Sequence, residues 1–156
     1  THDLDRIFKA YDVRGVVPDD LDAGLVRRIG AAFAEWTKAP AIVVGRDCRI
    51  SSPELAAAIA DGATSRGVDV IDLGLASTDL LYCAAGKLDM PGVMLTASHN
   101  PKQYNGLKFS TANGAPALPE ITQGIEREIH ALQLANERLD VYEKPELIGT
   151  IVPKDR

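Results

Sequence analysis

The 156 residues hold just two cysteines, Cys48 and Cys83, with neither C-x-x-C spacing nor clustered histidines around them. A zinc site or a disulfide framework therefore has little support, and both thiols read as small apolar fillers. No apolar stretch reaches the roughly 18 residues that cross a bilayer, and the opening THDLDRIFKA lacks the apolar centre of a signal peptide, so the expectation is a soluble, cytoplasmic chain with no membrane partner. Basic runs are missing too. With 17 Lys and Arg against 22 Asp and Glu, and a net charge of -5, nothing tracks a phosphate backbone, and nucleic acid is excluded as an expected partner. There is no internal repeat, no low-complexity tract, and no G-x-S-x-G elbow to present a hydrolase serine.

What the chain does contain is enough apolar material, 46%, for one real core in one domain. Its end changes character: Pro145 and Pro153 bracket a short β-like run, and residues 143–156 read as a linker leaving a domain of residues 1–142. The first residue is Thr1 rather than Met, so the chain is expected to be a trimmed piece of something longer.

Period and caps define the elements. Leu25, Ile29, Phe33 and Trp36 recur at helical spacing between Asp22 and Lys38, with Ala32 on the same face and Asp20 or Asp22 as N-cap. AIVVG, 41–45, is a continuous β-branched run ending in glycine, as in a strand covered on both faces. A helix follows, started by a Ser51–Glu54 capping box or by Ser52 with Pro53 at N1, and stopped by Gly67. VDVIDLG, 68–74, is a second strand; Thr78–Leu88 a helix capped by Ser77 or Thr78; GVMLTA, 92–97, a third strand. LKFS returns from an Asn105-Gly106 turn, the strongest short hairpin signal. Ile121, Ile125, Ile129 and Leu132 stripe a last helix over 119–134. This alternation predicts an α/β fold, a three-layer α/β/α sandwich with a mixed, mostly parallel sheet.

In such folds ligands collect beyond the carboxyl ends of the strands. There the sequence puts Arg46-Asp47, Ala76-Ser77-Thr78 and Ser98-His99-Asn100-Pro101. Each has an ordinary explanation: Ser and Asn satisfy their own turns, the residue before proline is pushed extended, Arg46-Asp47 is a surface ion pair, and Lys108 is the solvated side of a half-buried strand. Their joint placement, with KAYDVRG at 9–15, favours chemistry instead. A serine in a polar loop at a strand's end, with cations near it, suits a phosphoryl group, whose charge backbone N–H groups and Lys or Arg neutralise. His99 is badly placed to serve as base for its neighbour Ser98. Two rivals use the same residues: a non-catalytic phosphate- or nucleotide-binding module, and a receiver phosphorylated on Asp47, which lacks the acidic pair after a first strand.

Together these segments resemble the α-D-phosphohexomutase family of phosphomannomutases and phosphoglucomutases. TASHNP at 96–101 is similar to its phosphoserine loop, AYDVRG at 10–15 to its N-terminal active-site segment, VGRD at 44–47 to its first strand-end motif, and YNGLK at 104–108 to its hairpin. The resemblance implies that Ser98 carries the phosphate, Lys108 acts as acid/base or proton-handling cation, Arg14 stabilises charge, and His99 and Asn100 shape the loop. Tyr11 would line the site and Arg46 hold it in place. It also implies Mg²⁺ bound through the phosphate of Ser98, and hexose phosphate and hexose bisphosphate as ligands. The metal-binding Asp-Gly-Asp-x-Asp-Arg loop of the family's second domain does not occur, nor do the sugar loop of the third and the phosphate loop of the fourth. The resemblance thus implies the first of four domains, with the remaining domains of a parent chain as partners and no turnover by this piece alone. KAYDVRG is more similar to the phosphomannomutase/phosphoglucomutase branch than to the phosphoglucosamine branch.

Overall fold

The computed structural model describes residues 4–9, 12–97, 100–139 and 151–153. The chain runs α1 (Leu4–Ile7), β1 (Asp12–Val16), α2 (Ala23–Thr37), β2 (Ala41–Arg46), α3 (Ser52–Thr64), β3 (Asp69–Leu75), α4 (Thr78–Leu88), β4 (Gly92–Leu95), β5 (Tyr104–Ser110), α5 (Pro119–Leu139) and β6 (Ile151–Pro153). Among the described residues six strands form one sheet in the order β1-β5-β4-β2-β3-β6. The pairings of β2 with β3 and β4, and of β3 with β6, are parallel; those of β5 with β4 and β1 are antiparallel. The expected mixed, mostly parallel sheet is thus present. The β-like run at the chain's end adds its edge strand, β6.

The pleat sorts the side chains into two layers. Ile42, Val44, Val93, Leu95, Leu107 and Phe109 pack with α2, α3 and α5, while Val43, Leu73 and Met94 pack against Leu81 of α4 on the other face. β2 therefore serves both cores, which is why AIVV is apolar without alternation. Phe33 of α2 meets Phe109 with ring centroids 5.0 Å apart, within the range of a favourable aromatic pair. α2 and α3 touch backbone to backbone, since a Cβ on Gly62 would stand 2.0 Å from the carbonyl oxygen of Arg27.

Most caps follow the sequence. Asp22 accepts the Leu25 N–H at 2.8 Å and Ser77 the Leu80 N–H at 3.0 Å. Gly67, at φ +79°, ends α3 with its own N–H on Thr64 and that of Val68 on Ala63, the paired bonds of a Schellman motif. Ile125 and Ile129 are buried on α5; the side chain of Leu132 lies outside those described.

Three expectations are corrected. The Asn105-Gly106 pair is not a turn: both residues lie inside β5, opposite Gly15 and Arg14 of β1, and the chain reverses at 101–103, where the Tyr104 N–H meets the Pro101 carbonyl at 3.0 Å. Asn105 is fully buried, and a Cβ on Gly106 would come 2.2 Å from the carbonyl oxygen of Val13, so the glycine permits close strand approach rather than a positive φ. The Ser51–Glu54 capping box does not form, because Ser51 makes no side-chain cap bond and instead accepts from Asn105 Nδ2 at 2.8 Å. Finally, Cys48 and Cys83 are exposed, one on the loop after β2 and the other on the outer side of α4, between the inward-facing Leu81 and Ala85.

Candidate active site

At the carboxyl ends of β2 and β4, residues 47–51 lie beside residues 100–104. Thr96 continues the ladder by donating its N–H to Gly106 at 2.9 Å, and the Asn100 N–H closes onto the Ala97 carbonyl at 3.0 Å. Ser98, His99 and Tyr11 lie outside the described residues. The residues that flank Ser98 and His99 are well tied: Thr96 and Ala97 are buried, and Asn100 is held from two directions.

The first hold comes from β1. Arg14 stands opposite Gly106, which leaves room for it, and its guanidinium reaches Asn100 Oδ1 at 3.4 Å. Asp12, on the same side of the strand, pairs with Arg14 at 3.2 Å and fixes its direction. Asp12 also raises the pKa of Tyr82 on α4, though the first cause of that shift is burial of the phenol and Asp79 adds to it. Lys108 faces Asp12 on β1 and Met94 on β4. It is two positions, about 7 Å, along β5 from Gly106 and on the same face, because side chains alternate with period two. Arg14, Asn100 and Lys108 are thereby assembled on one side of the sheet. Arg14 and Asn100 also border a pocket of about 380 Å³ shared with Arg6, Lys9 and Tyr104.

The second hold comes from Arg49, which sequence reasoning missed. Its Nη1 donates to the carbonyls of Pro101 at 2.8 Å and Tyr104 at 2.9 Å, and its Nη2 to that of Asn100 at 2.9 Å. Asp47 orients it through an ion pair at 3.4 Å and accepts from the Arg49 N–H and from Ser52 Oγ, at 3.0 and 2.6 Å. Asn105 completes the network by donating to Ser51 and Ser52. The basic partner of Asp47 is thus Arg49, not Arg46. The side chain of Arg46 makes no hydrogen bond or ion pair with the other described residues, and its strand position lies between Leu75 and Leu95.

No group of three His, Cys, Asp or Glu among the described residues is arranged to hold a metal ion. The two carboxylates beside the loop, Asp12 and Asp47, are paired with arginines. The described residues therefore do not make up a ligand set for Mg²⁺. A further pocket, about 330 Å³ between Trp36, Asp89, Pro91 and Ile121, opens at the amino ends of β2 and β4, away from these groups. No described helix is long and apolar enough to cross a membrane.

The described residues thus place Asn100 between two arginines at the carboxyl ends of the strands of an α/β domain. Residues 5–136 match the family model described as phosphoglucomutase/phosphomannomutase, alpha/beta/alpha domain I. The chain belongs to the phosphoglucomutase/phosphomannomutase family and spans its domain I. It is 43% identical over 138 residues to a phosphomannomutase/phosphoglucomutase of Pseudomonas syringae pv. tomato, covering 86% of this chain and 30% of that one. It is 46% identical over 110 residues to a protein named phosphohexose mutases from Xanthomonas campestris, covering 70% and 25%. Among solved structures, a phosphoglucomutase/phosphomannomutase family protein of Burkholderia thailandensis superposes with a TM-score of 0.82 at 35% identity, over 99% of this chain and 34% of that one. The chain thus spans about a quarter to a third of the length of these relatives.

Proposed function

We propose that this chain is the serine-bearing domain of a cytoplasmic phosphohexomutase that interconverts hexose 1-phosphates and 6-phosphates. In this reading the phosphoryl group passes from Ser98 Oγ to the free hydroxyl of a hexose phosphate. The serine P–O bond breaks, a sugar P–O bond forms, and the product is a hexose bisphosphate with the serine free. After the bisphosphate turns around, its other phosphoryl group returns to Ser98. A covalent serine phosphate divides the relocation into two transfers, and positioning with charge neutralisation supplies most of the acceleration in such reactions.

Arg14 is assigned to the charge on the transferring group and Lys108 to the proton that moves between the sugar hydroxyl and the serine oxygen. Asn100 and His99 shape the loop, Tyr11 lines the site, and Arg46 supports the rim. Mg²⁺, when bound, would neutralise phosphate charge. This chain would offer it the phosphate of Ser98, with the other ligands supplied by the rest of a parent chain. Residues 1–142 form the body of the domain and 143–156, which include its edge strand β6, lead on to the next one, and the piece alone is inactive as a mutase.

The observation that carries the reading is the Arg14–Asn100 contact, which joins the N-terminal strand to the loop bearing Ser98, on the face that also presents Lys108. The test is intact-mass analysis after incubation with hexose 1,6-bisphosphate. One phosphoryl group mapped to Ser98 supports it, a group on Asp47 points to a receiver, and no incorporation points to a binding module. A longer chain carrying this segment, assayed with mannose and glucose phosphates, assigns the sugar.

A further inference from the structure

We infer that Arg49 is a positioning residue for phosphoryl transfer at Ser98, acting by holding residues 100–104 in register; the inference rests on the mutase reading above. The carbonyls of Asn100, Pro101 and Tyr104 belong to the segment that follows Ser98 and His99, and one guanidinium gathers all three within 2.8–2.9 Å. The side chain is only 12% exposed. Its guanidinium thus ties residues 100–104 to Asp47, while Arg14 approaches Asn100 from the β1 side.

Asn100 is the hinge of this arrangement, since its backbone oxygen is held by Arg49 and its side-chain oxygen by Arg14. Neither hold can drift without moving the other. The brace is itself fixed: Asp47 takes hydrogen bonds from the Arg49 N–H and from Ser52 at the start of α3, so the loop is referenced to a helix and a strand rather than to another loop. Sites held by such packed supports keep their geometry better than sites on free loops. A planar fork with several fixed donors is what this task needs, and a lysine ammonium, a point charge on a flexible stem, does not reproduce it.

The test uses Arg49→Ala and Arg49→Lys in a longer chain that carries this segment, with Ile50→Ser, fully exposed next door, as control. Loss of about 1 Å of positioning costs on the order of 10²-fold in rate, so kcat should fall by about that factor in both arginine variants. KM should stay near its wild-type value, the split expected when positioning rather than substrate binding is lost. Amide exchange at residues 100–104 of the 156-residue chain should speed up in both variants and not in Ile50→Ser. Wild-type turnover with unchanged kcat in Arg49→Ala overturns the inference, as does full rescue by lysine. If wild type shows no mutase turnover, the mutase reading falls instead, and unchanged protection of 100–104 in Arg49→Ala then overturns the brace on its own.

Discussion

Asn105 separates two pictures of the loop and its return strand. As a turn residue it would face water, and Asn105→Ala would stay within about 0.5 kcal/mol of wild type, as surface changes do. In the structure its side chain is fully buried, and its amide donates to Ser51 Oγ at 2.8 Å and Ser52 Oγ at 3.0 Å while Oδ1 accepts the Gly106 N–H at 2.8 Å. Three hydrogen bonds at about 1 kcal/mol each give a loss of about 3 kcal/mol for Asn105→Ala. For a domain of this size that lowers Tm by about 6–12 °C. Urea melts followed by circular dichroism should show a lower midpoint with an unchanged slope. Asn105→Asp sharpens the test, because aspartate is a good turn residue but here would bury a charge against two hydroxyls, one already donating to Asp47. It should be worse than alanine at neutral pH. Burial raises the pKa of such a carboxyl above its unfolded value, so the penalty is absent below the unfolded value and grows as pH rises through the folded one. If both variants melt with wild type, the buried network is refuted.

Ser98→Ala removes one hydroxyl and should leave stability within about 0.5 kcal/mol of wild type while abolishing phosphoryl incorporation, both read on the same preparation. Gly62→Ala should lose at least about 1 kcal/mol in denaturant melts through overpacking against Arg27, even though alanine is the better helix former by about that amount; a gain would refute the close crossing of α2 and α3. Tyr82 has a raised pKa, first from burial and then from Asp12 and Asp79, so the stability held by its neutral phenol is complete below the ordinary value near 10 and lost as pH rises through the folded one. Tyr82→Phe should flatten that alkaline decline, and an identical decline in the variant would count against the Asp12–Tyr82 proximity.

Elements whose reasons are local were readable from the chain. α2 and α4 carry both period and cap, β2 and β4 are continuous apolar runs because two cores cover them, and Gly67 ends α3 as its position suggests. β1 was not readable: Asp12, Arg14 and Gly15 are poor strand formers, and the segment becomes a strand because β5 offers it a partner, a tertiary effect that outweighs weak local preference. The Asn105-Gly106 pair misled for the same reason, its local turn preference losing to a buried amide network and a close strand approach. At the site, Arg14 meets Asn100 and Lys108 lies on the same face of the sheet, pairings made by strand register that the sequence does not spell out. Arg49 left no trace, because its partners are backbone carbonyls, which carry no residue identity. The cysteines show the converse limit, since a residue type that is usually buried says nothing about a particular loop or helix face.

The position of the reversal decides how firmly Lys108 is held. A two-residue turn at 105–106 would have set Lys108 opposite Gln103, in a two-stranded ribbon projecting from the sheet, and such ribbons are only marginally stable. With the reversal at 101–103, β5 instead lies between β4 and β1, and Lys108 is locked between Met94 and Asp12. Its register is then policed by the core, because a slip of one residue would turn Leu107 and Phe109 out to the α4 face and drive the lysine into the layer under α2, α3 and α5. Asn105 adds a second lock, since only in this register does its amide meet Ser51 and Ser52. The lysine proposed to handle the proton thus owes its place to apolar neighbours on the opposite face of its own strand, and a change at 101–103 that preserves the ladder should alter the loop without moving that side chain.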